Sequence, residues 1–141
     1  MKKLAILTLV IFQVWSAMAL ACGDSPVLST RKDDGTEIGL FLPESKMQST
    51  SKWTPELGEP PLSPSEAYRI AIDWARLKYT RYDDVRVREI SLTRYRCSNI
   101  DDRWYYLMDL EPVIDGNSVW GPGNWVAVLM DGTVVAPTVV K

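Results

Sequence analysis

The sequence predicts an α+β fold in which one helix packs on an antiparallel β-meander of three to four strands, with an N-terminal β-hairpin. Three observations support this fold class. A strong helix start at residues 63–66 is followed by apolar residues at helical spacing. The chain after this helix alternates apolar and polar residues between turn signals. A length of 141 residues allows one hydrophobic core of ordinary size.

The first part of the chain after the leader, residues 22–62, is predicted to be a hairpin followed by a proline-rich arm. Two short strands, at 27–32 and 36–42, flank the turn Asp33-Asp34-Gly35. Residues 44–62 are polar and rich in proline, so we expect them to lie over the surface as a connecting arm. Trp53 is the expected contact of this arm with the body of the protein.

The helix is predicted to begin at Ser63-Pro64-Ser65-Glu66. Serine caps a helix, proline fits its first position, and glutamate three residues after the cap completes a capping box. One stripe of the helix is apolar and carries small residues that would let it approach a sheet closely: Ala67, Ile70, Ala71, Trp74 and Ala75. We expect this stripe to be core.

Three strands are predicted after the helix, at residues 85–97, 103–111 and 125–130, and Asp131-Gly132 turns the chain into 133–135. In the first strand the apolar parity changes between Val87 and Ile90 and again between Leu92 and Tyr95, which predicts two β-bulges. The second strand alternates between two faces. One face carries Trp104, Tyr106, Met108 and Leu110, and the other carries Tyr105, Leu107, Asp109 and Glu111.

This order of elements resembles the PepSY-type domains of bacterial envelope proteins over about residues 63–135. The resemblance rests on Ala67-x-x-Ile70-Ala71-x-x-Trp74 in the helix and on the strand pair Trp125 to Val135, with Asp131-Gly132-Thr133 where the family has Asp-x-x-Thr-Gly. It implies that residues 63–141 form an α+β domain of that type. It also implies a non-catalytic module of the kind associated with secreted peptidases or membrane-bound sensors, without an active site.

Residues 1–21 are predicted to be a signal peptide. Lys2 and Lys3 precede an apolar run from Leu4 to Trp15, and small residues follow it. The run is shorter than the roughly 20 residues that span a bilayer as a helix. We therefore expect an exported protein, periplasmic or secreted.

Cys22 and Cys97 are the two cysteines of the chain, and the sequence leaves their chemistry open. Ala19-Leu20-Ala21-Cys22 resembles a bacterial lipobox, in which Cys22 would carry a lipid and anchor the protein to the membrane. In an oxidising compartment Cys22 would instead pair with Cys97. A third alternative leaves Cys97 as a small buried residue.

The composition excludes several functional classes. The chain has no histidine, which removes Ser/His/Asp and Cys/His nucleophile systems, and two cysteines do not make a zinc site. The net charge of −2 argues against a nucleic-acid partner. Asp109 and Glu111 form a carboxylate pair of the kind that glycoside hydrolysis needs, but arginines on the neighbouring strand predict cross-strand ion pairs instead. No cofactor or metal is expected.

The segment from Val119 to Trp125 is the strongest candidate for recognition, because two tryptophans flank a Gly-Pro-Gly turn. The alternative is that both rings fold back onto the sheet. The predicted partner-binding residues are Trp120, Asn124, Trp125 and Tyr105.

These residues predict a non-catalytic exported binding module that contacts a protein partner in the envelope, with a peptidase as one possible target of regulation. The alternative is a carbohydrate- or cell-wall-binding protein in which Trp120, Trp125 and Tyr105 are stacking platforms. A small hydrolase is the third hypothesis. Contact with a membrane is expected only if Cys22 is lipidated.

Overall fold

The computed structural model describes residues 22–140, so the predicted signal peptide lies outside the described residues. In chain order the strands are β1 (Leu28–Arg31), β2 (Glu37–Leu40), β3 (Asp84–Arg94), β4 (Trp104–Ile114), β5 (Asn117–Ser118), β6 (Trp125–Leu129), β7 (Val134–Val135) and β8 (Thr138–Val139). The helices are α1 (Glu44–Ser49), α2 (Pro64–Lys78) and a short 3-10 helix, Pro55–Leu57.

The strands form two antiparallel sheets. The larger sheet has five strands in the order β3-β4-β6-β7, with β5 paired to β4, and the smaller has three in the order β1-β2-β8. Helix α2 packs on one face of the larger sheet, through a cluster that includes Tyr106 and Met108. The opposite face bears a second cluster, in which Tyr105 and Ala127 of the larger sheet meet Leu40 of β2. The described chain is therefore a three-layer arrangement with two apolar clusters.

The predicted fold class, one helix on a single meander of three to four strands, is wrong. Strands hold 36% of the described residues and helices 20%. The N-terminal hairpin does not extend the main sheet, because its strand β2 pairs with β8, at Ile38↔Val139 and Gly39↔Thr138. The physical reason is that α2 covers only one face of the larger sheet, and the apolar residues on the other face need a second cover.

Helix α2 begins where the sequence predicts. The Ser63 hydroxyl accepts a hydrogen bond from the backbone N–H of Glu66 at 3.2 Å, and Pro64 is the first helical residue. Three alanines of the predicted stripe are fully buried: Ala67, Ala71 and Ala75. Their small side chains let the helix axis lie close to the sheet, which confirms the predicted core face.

The predicted arm contains a helix that the sequence analysis missed. Helix α1 buries Met47 completely, and the Arg103 guanidinium donates to the carbonyls of Met47 and Gln48, each at 3.1 Å. The last carbonyls of a helix lack partners within it, and here Arg103 donates to both, beside the Thr50 hydroxyl, which donates to the Met47 carbonyl at 2.8 Å. Further along, Trp53 is 6% exposed and its ring meets Trp104 edge-on at 5.5 Å. The inserted position of Trp53 is therefore confirmed.

Strands β3 and β4 contain one of the two predicted bulges. The register shifts between Val87 and Glu89, so Arg88 is the extra residue and the first bulge is confirmed. The second is wrong, because pairing continues without a break from Ile90↔Met108 to Arg94↔Trp104. The apolar residues move from even to odd positions there because the strand buries its α2 side first and its other side later. Ile90 and Leu92 are partly exposed beside α2, whereas Tyr95 enters the cluster between the sheets.

The two cysteines form a disulfide with a Cα–Cα distance of 5.6 Å. It joins the segment that precedes β1 to the turn between β3 and β4, and both cysteines pack against the cluster between the sheets. Lipid attachment would need the same Cys22 sulfur that is bonded to Cys97 here. None of the helices within residues 22–140 has the length and apolar character needed to cross a membrane.

Candidate functional site: the tryptophan loop and its groove

Residues 119–125, which we call the tryptophan loop, connect β5 to β6. Before the loop, Asp115 and Gly116 have φ values of 49° and 75°, as a tight two-residue hairpin turn requires. The turn brings β5 back alongside β4. The backbone N–H of Val119 then donates to the carbonyl of Pro112 at 2.7 Å. The start of the loop is therefore fastened to the main sheet.

The end of the loop is fastened through Asn124. Its backbone carbonyl accepts from the N–H of Leu110 at 2.7 Å, and its side-chain amide donates to the carbonyl of Gly121 at 3.2 Å. The amide oxygen accepts from the Tyr79 hydroxyl at 3.3 Å. Asn124 is a predicted partner-binding residue, and both polar atoms of its side chain form hydrogen bonds that hold the loop in shape.

Gly123 seats the loop on the smaller sheet. It has a φ of +84°, and a Cβ added there would lie 3.1 Å from the Cδ1 atom of Ile38 in β2. A side chain at this position would be strained by the backbone and would press on Ile38. The loop therefore depends on contact between the two sheets as well as on its own hydrogen bonds.

The two tryptophans of the loop have different environments. Trp120 is 71% exposed, the largest aromatic surface on the described chain. Trp125 is half-buried, begins β6, and lies opposite Asp109 of β4. A large exposed aromatic side chain on an anchored loop costs little conformational entropy when it binds. Trp120 is therefore the loop residue whose ring is open to contact with another molecule.

Arg88 supports the Trp120 ring from the sheet. Its guanidinium carbon lies 4.9 Å from the centre of the ring, within the range of a cation–π contact. The same guanidinium forms an ion pair with Asp109 of β4. The hydrogen bond from Arg88 to Asp109 raises the pKa of the arginine above its ordinary value. Because Arg88 is the bulged residue of β3, the bulge directs its side chain to this ring.

A groove of about 450 Å³ lies on the other side of the loop. It runs between the tryptophan loop, the β1–β2 turn and the segment that follows α2. Trp120 and Tyr82 both line it, and the guanidinium carbon of Arg81 lies 5.0 Å from the centre of the Tyr82 ring. The turn contributes one cation and two carboxylates to the groove: Lys32, Asp33 and Asp34. Two aromatic rings, each with an arginine against it, thus face a mixed-charge groove.

Tyr105, the fourth predicted partner-binding residue, does not belong to this site. It is 4% exposed and lies in the cluster between the two sheets. Burial raises the pKa of its hydroxyl. Its ring borders a separate depression beside the disulfide. The smaller sheet covers the face of β4 on which the alternation placed Tyr105, and its contact with a partner stays a prediction.

The two carboxylates weighed for catalysis, Asp109 and Glu111, have protein partners. Asp109 pairs with Arg88, and Glu111 accepts a hydrogen bond from the Ser118 hydroxyl. The acidic turns are held in the same way, since Asp34 accepts from the N–H of Thr36 at 2.8 Å. Across residues 22–140, no three acidic, cysteine or histidine side chains cluster as metal ligands would.

Sequence reasoning identified the loop side of the groove, residues 119–124, but not the residues that other elements bring to it. The parity change between Val87 and Ile90 marks the bulge that directs Arg88 to the Trp120 ring, outside the groove. Lys32, Arg81 and Tyr82 gave no signal, because each lies far from Trp120 in sequence and reaches the groove only through tertiary packing.

The comparisons with known proteins add no relative: no family model, no curated protein and no solved structure matches this chain.

Proposed function

We propose that this chain is an exported, non-catalytic binding module that recognises a protein partner through Trp120 and the groove beside it. The observation that carries the proposal is the position of Trp120, a 71% exposed indole on a loop fastened at both ends and backed by Arg88. Exposed tryptophan and arginine are the residue types that dominate binding energy at protein interfaces.

Export is supported by two separate features. Lys2-Lys3 and the apolar run up to Trp15 have the layout of a signal peptide. The Cys22–Cys97 disulfide is of the kind that forms and persists in oxidising compartments. The resemblance of residues 63–135 to PepSY-type domains agrees with an envelope location and remains a hypothesis.

The test compares binding by the wild-type protein, Trp120→Ala and the control Leu57→Ala. Leu57 is also 71% exposed but lies in the 3-10 helix of the arm, so it matches Trp120 in exposure and differs in place. Each protein is immobilised and used to capture partners from the host envelope fraction. The captured protein is then purified and its dissociation constant measured against all three.

We expect Trp120→Ala to weaken binding at least about 30-fold, which corresponds to the roughly 2 kcal/mol lost when an aromatic anchor is truncated. Leu57→Ala should bind like the wild type, and neither change should lower the melting temperature. If Trp120→Ala binds normally but melts lower, the ring serves to hold the loop. The binding proposal would then be wrong.

A carbohydrate ligand is the second candidate, because Trp120 and Tyr82 line one groove together with the carboxylates of Asp33 and Asp34. Stacking rings with acidic hydrogen-bond acceptors suit a sugar as well as a peptide. Sedimentation of the protein with insoluble cell-wall polysaccharide distinguishes the two. Retention of the wild type and loss of Trp120→Ala from the pellet would favour the sugar.

A further inference from the structure

Strand β3 is an open edge of the larger sheet. It is eleven residues long and pairs with β4 on one side. Among residues 22–140, no strand pairs with its other side. Proteins normally protect such an edge with short strands, prolines, charged side chains, β-bulges or a covering segment, because its free N–H and carbonyl groups form a template for another strand. In β3 the bulge at Arg88 interrupts the edge, and the strand continues without a break after it. A long open edge therefore requires an explanation.

The part of β3 that follows the bulge is regular enough to accept a strand. From Glu89 to Arg94 its register with β4 is unbroken, and the backbone N–H of Tyr95 donates to the carbonyl of Arg103 at 2.7 Å. Backbone groups alternate in direction along an antiparallel strand. The odd-numbered residues therefore bond to β4, and the N–H and carbonyl groups of Ile90 and Leu92 point away from it.

The same two residues supply apolar side chains. Ile90 and Leu92 lie on the α2 side of the sheet, and each is 37% exposed. Two of the nearby charges are paired within the chain, whereas Glu89 is exposed and accepts a hydrogen bond from the Ser91 hydroxyl at 2.9 Å. Arg94 pairs with Asp102 at 3.2 Å, and Arg88 pairs with Asp109. The edge thus offers outward hydrogen bonds and a small apolar strip, with the exposed carboxylate of Glu89 beside it.

We propose that a second copy of this chain pairs with β3, forming an antiparallel dimer around a twofold axis at Ser91. In this register Ile90 of each copy lies opposite Leu92 of the other, so the exposed apolar residues cover one another. The outward N–H and carbonyl groups of Ile90 and Leu92 form four hydrogen bonds between the copies. Arg94 meets Arg88 of the second copy only at the end, where each has its own carboxylate.

The occupant is a second copy because the strip is complementary to itself. A twofold axis perpendicular to the sheet places residues of equal parity opposite each other, which matches Ile90 with Leu92 and Glu89 with Thr93. It also keeps the α2 layer of one copy on the same side as that of the other. The interface is small, so we expect a dimer that dissociates on dilution.

The first experiment traps the register with a cysteine. In the proposed dimer the two Ser91 residues form a non-hydrogen-bonded pair with a Cα–Cα distance of about 4.5 Å, inside the range of about 4.4–6.8 Å that a disulfide requires. Ser91→Cys should therefore form a covalent dimer under mild oxidation. The matched control Thr93→Cys should not, because the two cysteines would lie about 13 Å apart, four residues along the strand.

The second experiment measures the equilibrium without a cross-link. By sedimentation, the wild-type chain should shift from monomer towards dimer mass as its concentration rises. Leu92→Lys should raise the dimer dissociation constant at least about tenfold, since two apolar pairs are lost and two charges face the strip. Leu57→Lys, at an exposed residue outside the sheets, should behave like the wild type.

Three results would overturn the proposal: a wild-type chain that stays monomeric at millimolar concentration, equal cross-linking of Ser91→Cys and Thr93→Cys, or a dimer unaffected by Leu92→Lys. If Leu92→Lys fails to fold, the cysteine pair decides alone. Binding of a foreign extended peptide by a monomeric wild type would assign the edge to another partner and also reject the dimer.

Discussion

Breaking the Cys22–Cys97 disulfide is expected to remove a large part of the stability of the folded chain. The bond links residues separated by 75 positions. In the chain-entropy model, a closed loop of this length stabilises the folded state by about 4.5 kcal/mol, because it restricts the unfolded chain. Whole domains are stable by about 5–15 kcal/mol. The loss is therefore comparable to the total stability of a marginal domain.

The position of the bond supports the full magnitude. Both cysteines pack against the cluster between the two sheets, which also holds Leu40, Leu42 and Tyr105. Without the bond, the segment that leads into β1 loses its link to the β3–β4 turn. We therefore expect the smaller sheet to loosen first, and protection of its backbone amides from hydrogen exchange to fall before that of β4 and β6.

The assay is urea unfolding of the oxidised protein, the reduced protein and Cys22→Ala/Cys97→Ala. The reduced protein and the double variant should agree and should lose about 3–5 kcal/mol of unfolding free energy. The dependence of that free energy on urea should steepen, because an unlinked chain exposes more surface when it unfolds. A loss below about 1 kcal/mol in both forms would refute the reasoning, since the chain-entropy term would then be absent.

Three further predictions concern the loop, the arm and alkaline pH. Gly123→Ala should lower the free energy of unfolding by about 1–2 kcal/mol, because φ is +84° and Ile38 lies 3.1 Å from the added carbon. The control Gly121→Ala should lower it by less than about 0.5 kcal/mol. Equal losses in thermal unfolding would contradict this account of the loop. Tyr106→Phe should cost about 1–3 kcal/mol, because it removes the 2.8 Å hydrogen bond to the buried carbonyl of Leu62, and an unchanged urea midpoint would contradict it. Burial raises the pKa of four tyrosines above the ordinary 10.0, so the unfolded chain releases these protons first and the unfolding free energy should fall as pH rises above about 10. The four residues are Tyr79, Tyr95, Tyr105 and Tyr106. Unfolding measured at several pH values together with tyrosinate absorbance tests the prediction, and an unfolding free energy that stays constant above about pH 10 would contradict it.

Features set by neighbours in sequence were predicted correctly. The start of α2 follows from Ser63, Pro64 and Glu66, which satisfy backbone groups within one turn. The two faces of β4 follow from strict alternation, and both of its faces carry buried residues. The bulge at Arg88 follows from a change of parity within β3. In each case the deciding interactions lie within a few residues.

The candidate site was predicted only in part. The sequence left open whether the tryptophans beside the Gly-Pro-Gly turn are exposed or fold back onto the sheet, and Trp120 is exposed. Its neighbours in the groove were not predicted, since Lys32 and Tyr82 lie in other elements. The burial of Tyr105 was not predicted either, for a related reason. Alternation shows that a residue lies on the second face of a strand, but not whether another sheet covers that face.

The sequence by itself determined the helix, the alternation of the long strands and the aromatic loop, because each depends on local spacing and local hydrogen bonding. Only the tertiary structure decided that the hairpin takes β8 as its third strand. A strand of two residues, 138–139, is too short to show an alternating pattern, so the sequence does not indicate that it pairs with Ile38 and Gly39. The cysteines follow the same rule. The sequence left a disulfide, a lipid on Cys22 and a buried unpaired Cys97 open, and only folding brings the two Cα atoms to 5.6 Å.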